Sequence, residues 1–373
     1  MKLKILQFPI KNTGGGITQY VLNNWKYIDK TKFHFDFATI SDSRLDFESE
    51  LTSHGCKIHY ISCSAEDNMN QFVKEFRAIL AYGYDAIHLH TCFWKSFVVE
   101  ELAIEKDVPV IIVHSHSNDL GGISTKINRK KALLTHNVLK TQFNVKLATH
   151  FCACSNAAAE WLFGEQIPRE RVKILANAID VDKYSFNLEI RNNYKHKLGL
   201  VNNFLIGHVG RFEYEKNHTF LIDVFCEISK KISNAKLLLI GTGTLFESMK
   251  NKIDSLDLSK KILLLGKRTD VAQLYQAIDM FVLPSHFEGL GIVLVEAQAA
   301  GLQCIASNYV PEDVNVTEKV SFLPLNIDDW CNEIIDKMKN TVRADNSELI
   351  KAKGFDIYTQ IKELEKLYQG YEE

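Results

Sequence analysis

The sequence predicts a two-domain α/β protein in which each domain is a doubly wound parallel sheet with helices on both faces. Three observations favour this class. Short apolar runs alternate with helix-length segments, a polar stretch at 182–203 separates two series of such units, and 373 residues exceed what one hydrophobic core usually organises. The predicted domains are residues 1–185 and 200–350. A C-terminal helix within 351–373 is expected to pack on the first domain.

The predicted strands are short apolar runs bounded by turn residues, which is typical of buried parallel strands. In the first domain they lie at 4–8, 33–40, 57–62, 86–90, 109–116, 150–155 and 172–179, with helices such as 66–82 and 96–106 between them. In the second domain they lie at 204–211, 235–241, 262–266, 279–285, 304–308 and 321–325. After Gly354, a final helix carries Ile357, Ile361, Leu364 and Leu367 on one face.

Composition excludes several classes of protein. A net charge of −2 argues against nucleic acid as a main partner, because a basic surplus is needed to neutralise phosphates. No apolar run is long enough to span a bilayer, and the N-terminal run is too short for a signal peptide, so we expect a cytoplasmic protein. The eight cysteines are scattered and are expected to be reduced thiols, and no structural zinc site is expected.

Two carboxylates in the segment PSHFEGLGIVLVEAQAAG stand on either side of a glycine turn. Glu288 follows a predicted strand, and Glu296 lies about one and a half turns into the next helix. Between them, the amides of Gly289, Leu290 and Gly291 form a helix N-terminus, which suits an anion such as a diphosphate. The combination favours a sugar nucleotide, although an ordinary strand–turn–helix with solvated glutamates is equally compatible with the spacing alone.

Two cations follow the strand that begins the second domain. Arg211 and Lys216 are expected to face the same crevice as the glycine turn, where they would neutralise a departing diphosphate. Solvated loop cations are the alternative, which the coincidence with the carboxylate pair makes less favourable.

Glycine-rich loops occur at Gly14–Gly16 and at Gly241–Gly243. Neither completes the dinucleotide fingerprint GxGxxG, since Gln19 and Phe246 occupy the third glycine positions, so a dehydrogenase is weakly supported. The backbone of the first loop is nevertheless suited to approach a phosphate or a sugar.

Histidines and aspartates at strand ends offer further candidate ligands. We expect His114 and His116 to point to opposite faces of their strand, which disfavours joint metal binding, and we expect His88 and His90 to form a core-to-rim pair. The Asp180-Val181-Asp182 motif resembles a metal-binding DxD, but its place directly after a strand favours turn chemistry.

The window from Leu120 to Ala159 contains no acidic residue. It carries apolar residues and the basic residues Lys126, Arg129, Lys130, Lys131, Lys140 and Lys146. The basic 126–146 segment therefore predicts either contact with an anionic membrane surface or a solvated helix pair, and the sequence does not choose between them.

The motifs VGRFEYEKN, LLLIGTG, IDMFVLPSHFEGLGIVLVEAQAAG and ACSNAAAEWLFG followed by NAID resemble those of the family 4 retaining glycosyltransferases of bacterial capsule and exopolysaccharide synthesis. The resemblance implies a GT-B fold, with two Rossmann-like domains that face each other across a cleft. It also implies transfer from a nucleotide sugar, expected to be UDP-linked, to a saccharide acceptor, expected to be lipid-linked, without a metal or other cofactor. Ala178 and Gln303 replace a usual glycine and proline.

The resemblance also assigns roles to residues. Glu288 resembles the carboxylate that binds the hexose, Glu296 the one that binds the ribose, and Arg211 and Lys216 the diphosphate pair. The remaining implied positions are Gly15 and Gly16 as the N-terminal phosphate loop, His116 as the histidine near the transferred sugar, and Arg268 as a contact to the base. Glu288, His116, Arg211 and Lys216 are the implied catalytic set.

Three other functions compete with this interpretation. A sugar-nucleotide epimerase would turn over UDP-GlcNAc without an acceptor, and a glycan phosphorylase would need a pyridoxal-binding lysine or a phosphate site. A non-catalytic nucleotide-sugar-binding subunit would not hydrolyse the donor. The sequence does not identify the sugar, the linkage or the oligomeric state.

Overall fold

The computed structural model describes residues 2–12, 16–41, 43–120, 126–340 and 342–370, with only the main chain of Lys126. The chain divides into two compact units. One comprises Met1–Ala178 together with Ile357–Glu373, and the other comprises Ile179–Asp356.

The first unit is built on a seven-stranded sheet, within the part of the chain described. Its strands are β1 (Leu3–Phe8), β2 (Phe33–Ile40), β3 (Ile58–Ile61), β4 (Ala86–Thr91), β5 (Val110–Ser115), β6 (His150–Ala153) and β7 (Val172–Ile174). The spatial order is β3-β2-β1-β4-β5-β6-β7, and every neighbouring pair is parallel. The doubly wound sheet that the sequence predicts is therefore confirmed.

Helices connect these strands. They are α1 (Gly16–Tyr27), α2 (Glu48–Ser53), α3 (Met69–Leu80), α4 (Val98–Glu105), α5 (Lys126–Gln142) and α6 (Asn156–Phe163). Side-chain caps define two of their starts, since Asn68 accepts from the amide of Gln71 and Ser155 accepts from that of Ala158. A short 3-10 helix, Arg169–Arg171, precedes β7.

The second unit repeats the design on a six-stranded parallel sheet. The strands are β8 (Phe204–Val209), β9 (Ala235–Ile240), β10 (Ile262–Gly266), β11 (Met280–Leu283), β12 (Gln303–Ser307) and β13 (Val320–Leu323), in the order β10-β9-β8-β11-β12-β13. The helices are α7 (Val181–Tyr184), α8 (Leu188–Lys197), α9 (His218–Lys231), α10 (Phe246–Ser255), α11 (Val271–Ala277), α12 (Ile292–Ala299), α13 (Ile327–Lys337) and α14 (Ser347–Ala352). Short 3-10 helices lie at Tyr214–Lys216 and Glu312–Val314.

The boundary between the units differs from the predicted one. The polar stretch at 182–203 was expected to separate the domains, but the second unit already begins at Ile179. The reason is a buried carboxylate at the start of β11. Asp279 binds Arg191 and Lys195 of α8 and accepts a hydrogen bond of 2.8 Å from the amide of Leu205, so the polar helix is fastened to the sheet.

The last helix, α15 (Ile357–Tyr368), belongs to the first unit. Its residues Ile357, Ile361, Leu364 and Leu367 are buried in the same apolar cluster as residues of β1 and β2. The predicted apolar face is therefore confirmed. No helix in the described ranges is both long and apolar enough to cross a bilayer.

Candidate active site

An ion pair joins two neighbouring strands at their carboxyl ends in the second unit. Lys216 follows β8 and Glu288 follows β11, which lie side by side in the sheet. The ammonium of Lys216 lies 2.5 Å from Oε1 of Glu288, and only 14% and 11% of the two side chains are exposed. The hydroxyl of Ser285 donates to the same oxygen at 2.7 Å. The structure thus brings together two of the predicted residues.

Arg211 lies on the same loop as Lys216 but has a different partner. Its guanidinium pairs with Glu215 at 2.5 Å, and its side chain is 38% exposed. The carbonyl of Glu215 accepts from the amide of His286 at 2.8 Å, which ties the loop after β8 to the loop after β11. The ring of His286 stacks on Tyr214, with centroids 4.6 Å apart.

The glycines of the GTG segment serve close packing between loops. A Cβ at Gly241 would lie 2.0 Å from the carbonyl oxygen of Gly210, and one at Gly243 would lie 2.5 Å from that of Phe212. Any side chain at either position would therefore push away the loop that carries Arg211 and Lys216. This contact explains why two glycines occur there without a dinucleotide fingerprint.

The glycine turn leads directly into α12. Leu290 is buried and anchors the turn, whereas Gly291 has φ 88° and is the residue before the helix. That left-handed conformation favours glycine. The cap residue Gly291 has no side chain to accept from the first-turn amides, which together with the positive dipole end of α12 are suited to an anion.

Glu296 is held by two tyrosines that the sequence analysis did not identify. Tyr184 of α7 donates to Oε1 at 2.9 Å, and Tyr275 of α11 donates to Oε2 at 3.0 Å. Burial raises the pKa of Glu296, and the two hydroxyl groups act in the opposite direction. The tyrosines come from separate helices, and no local motif marks them.

Arg268 forms a bidentate ion pair with Asp270. The Nε atom donates to Oδ1 at 2.7 Å, and Nη2 donates to Oδ2 at 2.5 Å. Asp270 also accepts from the hydroxyl of Tyr194 at 3.0 Å. Asp270 therefore orients Arg268, the residue expected to contact the base.

Two buried histidines, His208 and His218, lie close enough to Lys216 that burial and the charge of this lysine both lower their pKa. The ring centroids of His208 and His218 are 4.7 Å apart. Burial lowers the pKa of His208 to about 4 and that of His218 to about 2. Both rings are therefore neutral near pH 7, and the positive charge of this loop comes from Arg211 and Lys216.

The first unit contains a cluster of four histidines from adjacent strands. His88 and His90 come from β4, and His114 and His116 come from the end of β5. All four are buried, and the rings of His114 and His116 stack with centroids 4.0 Å apart. The expectation that these two face opposite sides is wrong, because alternate residues of a strand point to the same face. The expected core-to-rim pair at 88 and 90 is also wrong, since both rings lie in the core.

This cluster offers nitrogen atoms in the arrangement of a candidate metal site. Ring nitrogens of His88, His90 and His114 lie within 4.8 Å of one another. Both nitrogens of His88 and both of His90 are already in hydrogen-bonding contact with protein atoms. A metal ion would have to break these contacts, so the arrangement favours a hydrogen-bonded network.

The remaining predicted positions lie elsewhere. Gly14 and Gly15 fall outside the described residues, and Gly16 is the first residue of α1. Asp180 caps α7 by accepting from the amide of Lys183, and Asp182 pairs with Lys351 at 2.9 Å. The DxD motif thus has the turn role that its position predicts.

Comparison with known proteins agrees with this geometry. Residues 15–178 match the model of the glycosyl transferase 4-like domain, and residues 190–352 match that of glycosyl transferases group 1. The putative glycosyltransferase EpsF of Bacillus subtilis is 33% identical over 306 residues, which cover 81% of this chain and 78% of EpsF. The chain belongs to the family 4 glycosyltransferases. The enzyme is also 28% identical over 321 residues to the Escherichia coli UDP-Gal:α-D-GlcNAc-diphosphoundecaprenol α-1,3-galactosyltransferase, covering 81% of this chain and 79% of that one.

Solved structures show that the enzyme has the GT-B fold. The crystal structure of HepE from Anabaena, in complex with UDP and glucose, matches with a TM-score of 0.79. The match covers 99% of this chain and all of HepE, at 22% sequence identity. The fold that the resemblance implies is therefore confirmed.

The contacts of Glu296 generate a test. The variant Tyr184→Phe removes one hydroxyl donor and keeps the ring. Because this hydrogen bond favours the ionised carboxylate, we expect the pKa of Glu296 to rise in the variant. NMR titration of protein labelled with ¹³C at glutamate carboxyls measures the change, and Glu296→Gln assigns the signal.

Tyr214→Phe is the matched control, because the side chain of Tyr214 packs against His286 instead. An identical pKa of Glu296 in Tyr184→Phe and in the wild type would contradict the assigned contact.

Proposed function

We propose that the enzyme transfers a hexosyl or N-acetylhexosaminyl group from a UDP-linked sugar to a lipid-linked saccharide in surface polysaccharide synthesis. One observation carries the proposal. The Lys216–Glu288 pair places a cation and a carboxylate together at the carboxyl ends of adjacent strands, beside the glycine turn that begins α12. A diphosphate needs the cation and the helix terminus, and a sugar ring needs the carboxylate.

The diphosphate would lie between Lys216 and the start of α12. A lysine ammonium has three N–H donors, and its contact with Glu288 uses one of them. Two donors are left for phosphate oxygens. Arg211 would add a second cation after its guanidinium turns from Glu215, which its partial exposure favours.

The two carboxylates would bind hydroxyl groups at the two ends of the donor. We assign Glu288 to the hexose and Glu296 to the ribose. Each oxygen of Glu296 accepts from one tyrosine and keeps a second lone pair for a ribose hydroxyl. Arg268, oriented by Asp270, is assigned to the base.

We propose that the reaction retains the configuration of the transferred sugar. The bond from the anomeric carbon to the phosphate oxygen breaks while the acceptor oxygen bonds to the same face. The proton of the acceptor hydroxyl passes to the departing phosphate. Lys216 and Arg211 would stabilise the negative charge that develops on this phosphate, and therefore act mainly on the transition state.

The E. coli relative supports the acceptor class. The E. coli galactosyltransferase uses UDP-Gal and a saccharide on diphosphoundecaprenol. HepE, whose fold this enzyme shares, has been crystallised with UDP and with UDP-glucose. We therefore take UDP-glucose, UDP-galactose and their N-acetyl derivatives as the first donors to test.

Removal of the charge of Glu288 should slow sugar transfer much more than it weakens the binding of UDP. We expect Glu288→Gln to lower kcat by at least about 100-fold, while the Kd for UDP changes only a few-fold. Transfer of radiolabelled sugar to a lipid-linked acceptor measures the rate, and calorimetry with UDP measures binding.

Glu247→Gln is the matched control, because Glu247 is exposed on α10 of the same unit. An unchanged kcat in Glu288→Gln would remove this residue from the mechanism. Conversion of a UDP sugar to its epimer without acceptor would instead indicate an epimerase.

We propose that transfer needs no metal ion. Both aspartates of the DxD motif are engaged by the protein, one as a helix cap and one with Lys351. We expect full activity after dialysis against EDTA in the transfer assay described above. If EDTA abolishes activity and Mg²⁺ or Mn²⁺ restores it, Asp180 and Asp182 would again be candidate metal ligands.

We propose that the enzyme works in the cytoplasm at the inner face of the cell membrane, with α5 in contact with lipid. Ile127, Leu134 and Val138 are 83%, 59% and 56% exposed, and they are spaced by seven and four residues, which places them on one face of the helix. Lys130 and Lys131 flank this apolar stripe and are exposed. Arg129 and Lys140 instead bind Asp119 and the carbonyl of Glu160.

Charge reversal on this face should weaken membrane binding. We expect Lys130→Glu with Lys131→Glu to reduce binding to vesicles rich in phosphatidylglycerol by at least tenfold, because each lysine near an anionic surface contributes about 1 kcal/mol. Co-sedimentation measures the bound fraction. Lys250→Glu with Lys260→Glu makes the same change in net charge on the second unit and should leave binding unaltered. Equal loss in both pairs would contradict a role for α5.

A further inference from the structure

A branched hydrogen-bond network with one buried glutamine at its centre ends at His116. Gln7 of β1 is 1% exposed, and its Oε1 lies 2.8 Å from Nε2 of His90. Nδ1 of His90 lies 3.0 Å from Nε2 of His116. On its other side, Nε2 of Gln7 donates to the hydroxyl of Tyr368 at 2.8 Å.

The chemistry of the glutamine fixes the direction of the first branch. An amide oxygen only accepts, so Nε2 of His90 must carry a proton. A neutral His90 then has a bare Nδ1, which must accept, so the proton of this contact belongs to Nε2 of His116. A neutral His116 is thereby left with a bare Nδ1.

The second branch runs in a consistent direction. The hydroxyl of Tyr368 accepts from Gln7 and donates to Nδ1 of His88 at 2.8 Å. Nε2 of His88 therefore carries a proton and donates to Nδ1 of His114 at 3.2 Å. A proton then belongs on Nε2 of His114. Within the described residues, Nε2 of His114 is buried and has no hydrogen-bond partner, so the second branch ends there.

The rings in this network are neutral near pH 7. Burial holds the pKa of His88, His90 and His114 well below the ordinary value, and it lowers the pKa of His116 to about 3. A neutral histidine carries one proton, so the position of that proton decides which nitrogen accepts.

Nδ1 of His116 is the open end of the first branch. Within the described residues it is buried and has no hydrogen-bond partner. A buried acceptor without a donor costs about 1 to 3 kcal/mol, so such an atom indicates an incoming hydrogen-bond donor. His116 directly follows β5, at the carboxyl edge of the sheet where ligands of parallel α/β sheets bind.

We propose that Gln7 is a positioning residue that acts through His90 to hold His116 as its Nε2–H tautomer, so that Nδ1 is left to accept a hydrogen bond from a substrate hydroxyl. The second half of this statement rests on the proposed transferase function. The tautomer of His116 is a property of the protein without substrate. Gln7 and His116 lie 109 positions apart in the sequence, and the order of strands β1, β4 and β5 connects them.

The wild-type protein provides the first test. In protein labelled with ¹⁵N-histidine, long-range ¹H–¹⁵N correlation spectra distinguish a protonated ring nitrogen from a bare one. The variant His116→Gln assigns the signals of His116. We expect its Nε2 to be protonated and its Nδ1 to be bare. A proton on Nδ1 would overturn the proposal, because the glutamine would then be oriented the other way.

Two variants separate the hydrogen-bonding role of Gln7 from its contribution to packing. Gln7→Met keeps the size of the side chain and removes both polar atoms, so His116 should become a mixture of tautomers. Tyr368→Phe removes the hydroxyl between Gln7 and His88 but leaves the contact of Gln7 with His90 in place, so the signals of His88 and His114 should move more than those of His116. Unchanged His116 signals in Gln7→Met, or equal changes in both variants, would overturn the proposal.

Kinetics then test the link to the sugar. We expect Gln7→Met to lower kcat about tenfold with little change in the KM for the donor, and Tyr368→Phe to stay within twofold of the wild type. If the tautomers behave as described but Gln7→Met transfers sugar at the wild-type rate, the role toward the sugar is overturned. If the wild type transfers no sugar, the proposed function fails while the tautomer assignment stands.

Discussion

Both sheets of this enzyme are parallel throughout, and this constraint determines where its polar residues meet. In a parallel sheet all strands end at one edge, so side chains far apart in sequence come together there. Lys216 and Glu288 meet in this way after β8 and β11. His90 and His116 meet in the same way on β4 and after β5. The apolar strands supply the core, and their ends supply the chemistry.

The two carboxylates of the second unit have contrasting environments. Glu288 is paired with the ammonium of Lys216 and accepts a hydrogen bond from Ser285. Glu296 accepts from the neutral hydroxyls of two tyrosines, and burial raises its pKa. The spacing of eight residues therefore joins a carboxylate paired with a cation to one held by neutral hydroxyl donors.

The sequence was sufficient for the features that depend on local pattern. Apolar runs located the strands, and the apolar positions of the last helix located its buried face. The prediction is wrong or silent where the contact is non-local, and it is wrong where it departs from the period of two in a strand. Tyr184 reaches Glu296 across 112 positions, and no spacing rule marks it. His114 and His116 were placed on opposite faces, although their separation of two puts both on one face.

The place of α15 has a consequence for the synthesis of the chain. Residues up to Ala178 of the first unit are translated before the second unit, but the core of the first unit also needs Ile357, Leu364 and Tyr368. The second unit is complete once Asp356 has emerged. The unit that is translated first is therefore finished last, against the usual N-to-C order of domain folding. Premature termination after residue 356 would leave the second unit whole and the core of the first one open.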